Sequence, residues 1–260
     1  MKTIPIISYQ HIRDRAESQS VSVAEFEKQI AYIKKKGYEF LSLDEYVTLK
    51  CNTGSLESSK KKYILVIFEG GWRDFYTNAM PILRQYNAKA ALFIATEWID
   101  EASKQAISNP NIPSSELPHD ESMMALKENP RSVVCTWEEL RHTQDIISFG
   151  SMTHTYQLSN YVIKPWHEDL QLSKDLIAQH LGIQTTHLLW PRGEYDATLL
   201  RTAKKMDFKA FYLKQHGLNF QDSCLDENIY YAMRNSLSYL KKFLFICANA
   251  LRYKLFGVFL

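Results

Sequence analysis

Three places in the sequence set polar or aromatic side chains directly after short apolar runs. Glu69, Trp72 and Asp74 follow Tyr63–Phe68; His154 and Tyr156 follow Ile146–Phe149; Trp190 closes His187–Trp190, and Arg192 comes two residues later. The carboxyl groups of Glu69 and Asp74 can hydrogen-bond to ligand hydroxyls. The planar guanidinium of Arg192 can do the same, and it suits a carboxylate or phosphate as well. Trp72, Tyr76, Tyr156 and Trp190 offer flat apolar faces on which a ring-shaped ligand can stack. Each group also has a plainer reading. The two tryptophans can fill the mouth of the fold, Arg192 can pair with Glu194 or Asp196, and His154 can make a structural hydrogen bond. The residues alone leave both readings open.

The elements that must position these groups are readable. Apolar runs recur at Ile4–Tyr9, Tyr63–Phe68, Ala90–Ala95, Ile146–Phe149, His187–Trp190, Ala210–Leu213 and Ile229–Met233. Short unbroken apolar runs bounded by turns suit strands buried on both faces. Helical patterns lie between them. Ser22 with Glu25, Ser42 with Glu45 and Thr136 with Glu139 have capping-box spacing, and Asp196 can cap the helix that carries Leu199, Leu200 and Ala203. Strands alternating with helices predict an α/β fold with a parallel sheet, either open or closed into a barrel. Two stretches break the alternation. Cys51–Lys62 is polar and reads as a solvated loop. Ser103–Pro130 reads as an inserted loop, too long for a plain connection, which either forms a lid or partner surface or has no role.

The totals bound the rest. A chain of 260 residues fits one α/β barrel. A net charge of +2 gives no broad field for nucleic acid. Cys51, Cys135, Cys224 and Cys247 are scattered without a CxxC pair, so they give no zinc signature and read as free thiols. The first nine residues are too short for a signal sequence with a cleavage site, and no apolar run is long enough to span a bilayer. The chain is therefore expected in the cytoplasm, or outside it if a signal peptide has been removed.

The segment Ile64–Ile94 resembles the first signature region of polysaccharide deacetylases, carbohydrate esterase family four. There a strand ends in Phe-Asp-Asp-Gly, followed by an aromatic, an Asp and a helix with Pro-Ile-Leu. Phe68, Gly71, Trp72, Asp74, Pro81, Ile82, Leu83, Lys89, Ala90 and Phe93 stand in matching places. Thr136–Leu140 resembles the helix before the family's second motif. Phe149–Thr155 resembles its Ile-Gly-Ser-His-Thr-x-x-His strand end. Leu189–Asp196 resembles the Tyr-Pro-Tyr-Gly-Glu-Tyr loop of the branch acting on poly-N-acetylglucosamine, and Ile4–Ile12 resembles that branch's opening strand. The resemblance covers about residues 3–235. It implies a distorted (β/α)7 barrel over 1–235, with the site at the C-terminal strand ends.

The resemblance also implies a chemistry. A divalent metal, usually zinc, held by one Asp and two His activates water, and a second Asp just before the ligand Asp is the base. Here the base position is Glu69, and the ligand Asp is Gly70, which has no side chain. An ungapped match puts Met152 and Tyr156 at the two histidines. Methionine is too soft for a hard divalent ion, and tyrosine must lose a proton with a pKa of about 10. A one-residue gap brings His154 into one histidine position, which still leaves a single imidazole. Gln10 replaces the usual His after Tyr9, and Arg192 replaces an aromatic.

The leading expectation is thus a carbohydrate-binding or accessory protein of polysaccharide metabolism, without a cofactor. Trp72, Asp74, His154, Tyr156 and Trp190 would face the sugar, beside Glu69 and Arg192. The alternatives are an active hydrolase of an acylated amino sugar using Glu69 and His154, with zinc if it keeps the family chemistry, and a structural interaction protein. The C-terminal stretch 236–260 carries Leu237, Leu240, Leu244, Ala248 and Leu251 at helical spacing, with Lys241, Lys242, Arg252 and Lys254. It reads as one helix that docks on the barrel, lies on an anionic membrane or meets a partner. The membrane reading would suit a lipid-linked sugar.

Overall fold

The computed structural model describes residues 3–52, 61–220 and 224–257. The core is a closed parallel barrel. Its seven strands are β1 (Ile6–Tyr9), β5 (Lys62–Gly70), β6 (Ala90–Ile94), β7 (Ile147–Ser151), β8 (His187–Leu189), β9 (Ala210–Lys214) and β10 (Asn228–Ala232). Neighbours pair in the order β5-β6-β7-β8-β9-β10-β1, and β1 closes the ring on β5 with Ile6 opposite Leu65 and Tyr9 opposite Phe68. All seven apolar runs of the sequence are barrel strands. A short strand, β4 (Tyr38–Phe40), adds to the start of β5, and β2 (His11–Arg13) pairs with β3 (Ser20–Ser22) outside the ring.

Successive side chains on a strand face opposite sides, and here that alternation sorts the core into two layers. On β5, Leu65 and Ile67 belong to the barrel interior, with Ile6, Phe93, Met152, Leu189, Tyr212 and Tyr230. Ile64, Val66 and Phe68 face outward, against the helix Val23–Lys35 and its neighbours. The next inward position on β5 is Glu69. By the same parity Ser8 on β1 and Tyr230 on β10 also point into the ring.

The capping signals are largely realised. Ser42 and Thr136 each close a full capping box with Glu45 and Glu139, and Asp196 accepts from Thr198 and Leu199 amides. Ser22 makes only half of one. It accepts from the Glu25 amide, but its own amide donates to Asn235 Oδ1 at 2.9 Å, and the Glu25 carboxylate takes the Leu237 amide instead. A tertiary contact has replaced the local one.

The stretch 103–130 is a loop only over 109–118. The helix Thr96–Ser108 runs into it and the helix His119–Glu128 fills its second half. It is tied down at several points: Asn78 donates to Glu116 at 2.8 Å, Arg73 to the Ile112 carbonyl at 2.9 Å and Arg13 to Ser122 at 3.1 Å. The C-terminal segment is two helices, Leu237–Cys247 and Ala250–Phe256, because Asn249 ends the first and caps the second. Leu240, Phe243, Leu244, Ile246 and Cys247 bury the first helix against the barrel. Most of the solvated stretch read at 51–62, and the last three residues of the chain, lie outside the described residues.

Candidate functional site

The inward positions at the C-terminal strand ends converge on Glu69. Its Oε2 accepts from the Tyr230 hydroxyl at 3.1 Å. Burial pushes the Glu69 carboxyl above its ordinary pKa, while Ser8, Tyr230 and Lys214 pull the other way. The buried Ser8 hydroxyl completes no hydrogen bond of normal geometry, yet it lies close enough to favour the ionised carboxylate. Tyr156 and Arg192 join the group from the loops after β7 and β8. Burial pushes the Tyr156 hydroxyl up to about 12, with Glu69 adding repulsion and the positive charge of Arg192 partly offsetting both. The tyrosine stays a neutral donor.

The surrounding backbone is strained. Thr153, Tyr156 and Arg192 have φ of 66°, 55° and 56°. Non-glycine residues in this region cost on the order of 1–3 kcal/mol each and gather at functional sites. The Thr153 hydroxyl is in addition buried without a partner.

Gly70 and Gly71 turn the chain at the end of β5 with φ of +92° and +89°. A Cβ on Gly70 would lie 2.9 Å from Trp72 Nε1 and 3.2 Å from the Trp98 ring. Space for a carboxylate is therefore taken by indole. Met152 is 2% exposed in the apolar interior, and Tyr156 holds its proton. No three His, Cys, Asp or Glu side chains gather into a metal-binding group among the described residues. These residues do not fit a hard divalent ion held by one carboxylate and two imidazoles.

Several expected sugar contacts lie elsewhere. Trp190 is fully buried on the outside of the barrel, stacked on Phe211 and packed near Leu170 and Leu199. Its parity explains this: it follows Leu188, an outward residue, so it points out. It supports Tyr195, whose ring stacks on it at 5.5 Å. Tyr195, three residues after Arg192 in the chain, lines an open depression with Glu194, Gly193 and Gln215. Trp72 is 1% exposed, wedged between His11, Trp98 and His119. His154 turns away toward the outer helices. Its Nδ1 lies 2.9 Å from Thr96 Oγ1, its amide donates to Asp169, and burial lowers its pKa. Arg192 is exposed, and Asp196, one of its two expected ion-pair partners, is engaged as a helix cap.

Asp74 is engaged inside the fold. It is 6% exposed and accepts from Arg13 Nε at 2.9 Å, while His11 Nδ1 lies 2.7 Å from the same oxygen. His11 Nε2 in turn meets His119 Nδ1 at 3.0 Å, and Gln10 Nε2 reaches the same ring at 3.3 Å. The result is a line of polar groups, Asp74–His11–His119, from the core to the mouth. The positive charge of Arg192 is felt at His119. Sequence reasoning missed His11, Arg13, His119 and Tyr230. Arg13 and His11 sit 61 and 63 residues from Asp74, and His119 lies in a stretch read as loop.

A profile of the polysaccharide deacetylase family matches residues 57–211. The poly-beta-1,6-N-acetyl-D-glucosamine N-deacetylase of Escherichia coli (strain K12) is 23% identical over 82% of this chain but only 34% of its own length. The Staphylococcus aureus (strain N315) protein of the same name is 25% identical over 85% of this chain and 69% of its own. Among solved structures, Streptococcus pyogenes deacetylase PplD superposes with a TM-score of 0.75 at 21% identity, covering 95% of this chain and 98% of that one. IcaB from Ammonifex degensii gives 0.72 at 14% identity, covering 96% and 98%. The profile takes in more than half of the sequence, and the barrel is the one these solved structures share: the chain belongs to the polysaccharide deacetylase family.

Proposed function

We propose that this chain binds an amino-sugar polysaccharide at the barrel mouth and does not hydrolyse it through a metal-bound water. The observation that carries the reading is the Gly70–Trp72 contact, since a carboxylate ligand has neither a side chain nor a space at that position. The names of the relatives point to poly-N-acetylglucosamine as the sugar. Glu69, Tyr156, Arg192 and Tyr195 are the groups offered to it: an acceptor, two donors and an aromatic face. The test has two parts. The purified chain is expected to carry no stoichiometric zinc and to release no acetate from N-acetylglucosamine oligomers. It is also expected to bind those oligomers in calorimetry, with Arg192→Ala and Tyr195→Ala weakening the binding. Stoichiometric zinc together with turnover overturns the proposal, as does the absence of binding.

A second reading rests on Glu69 itself. A carboxyl raised by burial and held by a tyrosine hydroxyl is how a general acid or base is prepared. In this reading the chain hydrolyses an acylated amino sugar with Glu69, aided by Tyr156 and Arg192 and without His154. Acetate release that survives chelation and disappears in Glu69→Gln selects it.

A further inference from the structure

The opposite end of the barrel holds a feature that the polysaccharide reading does not use. A cavity of about 440 Å³ opens where β4 and β5 begin, between the end of the helix Val23–Lys35 and the C-terminal helices. Five of its lining side chains are cationic: Lys36, Lys61, Lys62, Lys241 and Arg252. Among the described residues, none that lines it is acidic. Lys61 reaches Glu39 outside the cavity at 2.7 Å. Lys36 and Lys241 both lie over the Tyr32 ring, at 5.5 and 5.3 Å from its centroid, and Lys62 lies over Tyr38 at 5.6 Å. Aromatic faces thus hold like charges together in one concave site. Such an arrangement repels itself and gains from an anion.

An apolar ridge borders the cavity. Phe245 lines it and is 53% exposed, with the Arg252 guanidinium 4.3 Å from its ring centroid. Leu251 and Leu255, beside Arg252 on its helix, are 65% and 60% exposed, and Phe256 is 44% exposed. Cations in a pocket and large apolar side chains at its rim match a phosphate head with acyl chains behind it.

We propose that this end of the barrel is a peripheral membrane site: the cavity takes the phosphate of an anionic phospholipid, and Phe245, Leu251 and Leu255 enter the interface. The geometry then fixes the orientation. Lys62 begins β5 and Glu69 is seven residues on, about 23 Å at the usual strand rise. The bilayer and the barrel mouth lie at opposite ends of the strands, so the mouth faces away from the membrane. A glycan chain extending from the surface suits it, and a sugar still joined to its lipid does not.

The test is co-sedimentation of the full chain with vesicles of phosphatidylcholine alone or mixed with phosphatidylglycerol. Binding is expected only to the mixed vesicles and is expected to fall as salt rises. Lys241 and Arg252 are exposed, so replacing both with Ala leaves the fold intact, and it is expected to weaken binding about thirtyfold. Phe245→Ser with Leu255→Ser keeps the charge and is also expected to weaken it. Circular dichroism of each variant checks the fold. No binding to either vesicle overturns the proposal, and so does equal binding to both. Protection of Lys241 and Arg252 by inorganic phosphate, without vesicle binding, replaces the membrane with a soluble phosphorylated ligand.

Discussion

A Cβ placed on Gly70 would lie 2.9 Å from the Trp72 indole nitrogen, at a backbone φ of +92°. The two residues together fill the space that a side chain at position 70 would need. Gly70→Asp is therefore expected to destabilise the chain by about 3 kcal/mol, from left-handed strain and overpacking together. It is not expected to create zinc binding. Urea unfolding and metal content read both outcomes. A Gly70→Asp protein that binds zinc and unfolds at the original midpoint would show that Trp72 yields.

Asp74 holds Arg13 and His11 inside the fold. Removing one member of a buried charge pair leaves the other uncompensated, which costs about 3–5 kcal/mol. Asp74→Ala is expected to lose stability in that range by urea unfolding. It is also expected to loosen the helix His119–Glu128, because Arg13 also bonds Ser122. Faster amide exchange over 116–125 than over the barrel strands is the readout.

The two imidazoles of His11 and His119 meet nitrogen to nitrogen, so they share one proton comfortably and two badly. Burial lowers the pKa of His11, and burial with the nearby His11 lowers that of His119 to about 4. Between about 6.5 and 4 the unfolded chain then binds more protons than the folded one, so stability falls as pH falls through that window. The part due to His119 is on the order of 2 kcal/mol, given solvent screening of a partly exposed ring. His119→Asn is expected to flatten the urea midpoint over this range. A profile that is unchanged by the substitution would remove the pair as its cause.

Glu69 carries the opposite sign. Its folded pKa is raised, so its contribution is present below the unfolded value and is lost as pH rises through the folded one. Glu69→Gln is expected to raise the unfolding midpoint at pH 7 and to leave it nearly unchanged at pH 4. It is expected at the same time to weaken glycan binding, since stability and function pull apart at such positions. A midpoint at pH 7 that falls would place Glu69 among the structural hydrogen bonds instead.

The seven apolar runs, the caps at Ser42, Thr136 and Asp196, and the family motifs were all legible in the sequence. Strand burial and helix capping depend on near neighbours, and the chain spells those out. The order of the motifs also placed Glu69 and Gly70 at the end of one strand and Met152 just after another, where the structure has them. The inward aim of Glu69 and the outward aim of Trp190 follow from period-two parity once the inner layer of the barrel is known.

Only the tertiary structure decided the rest. It assigned Asp74 to Arg13 and His11, brought His119 in from a stretch that looked like a loop, and set Trp72 in the space beside Gly70. It also gathered Lys36, Lys62, Lys241 and Arg252, which are spread over more than 200 positions of the chain, into one cavity. These contacts are made between elements distant in sequence once the barrel closes. No local pattern encodes which distant side chain will fill a given space, so the sequence determined the barrel and where its mouth lies, and packing determined what that mouth and its opposite end contain.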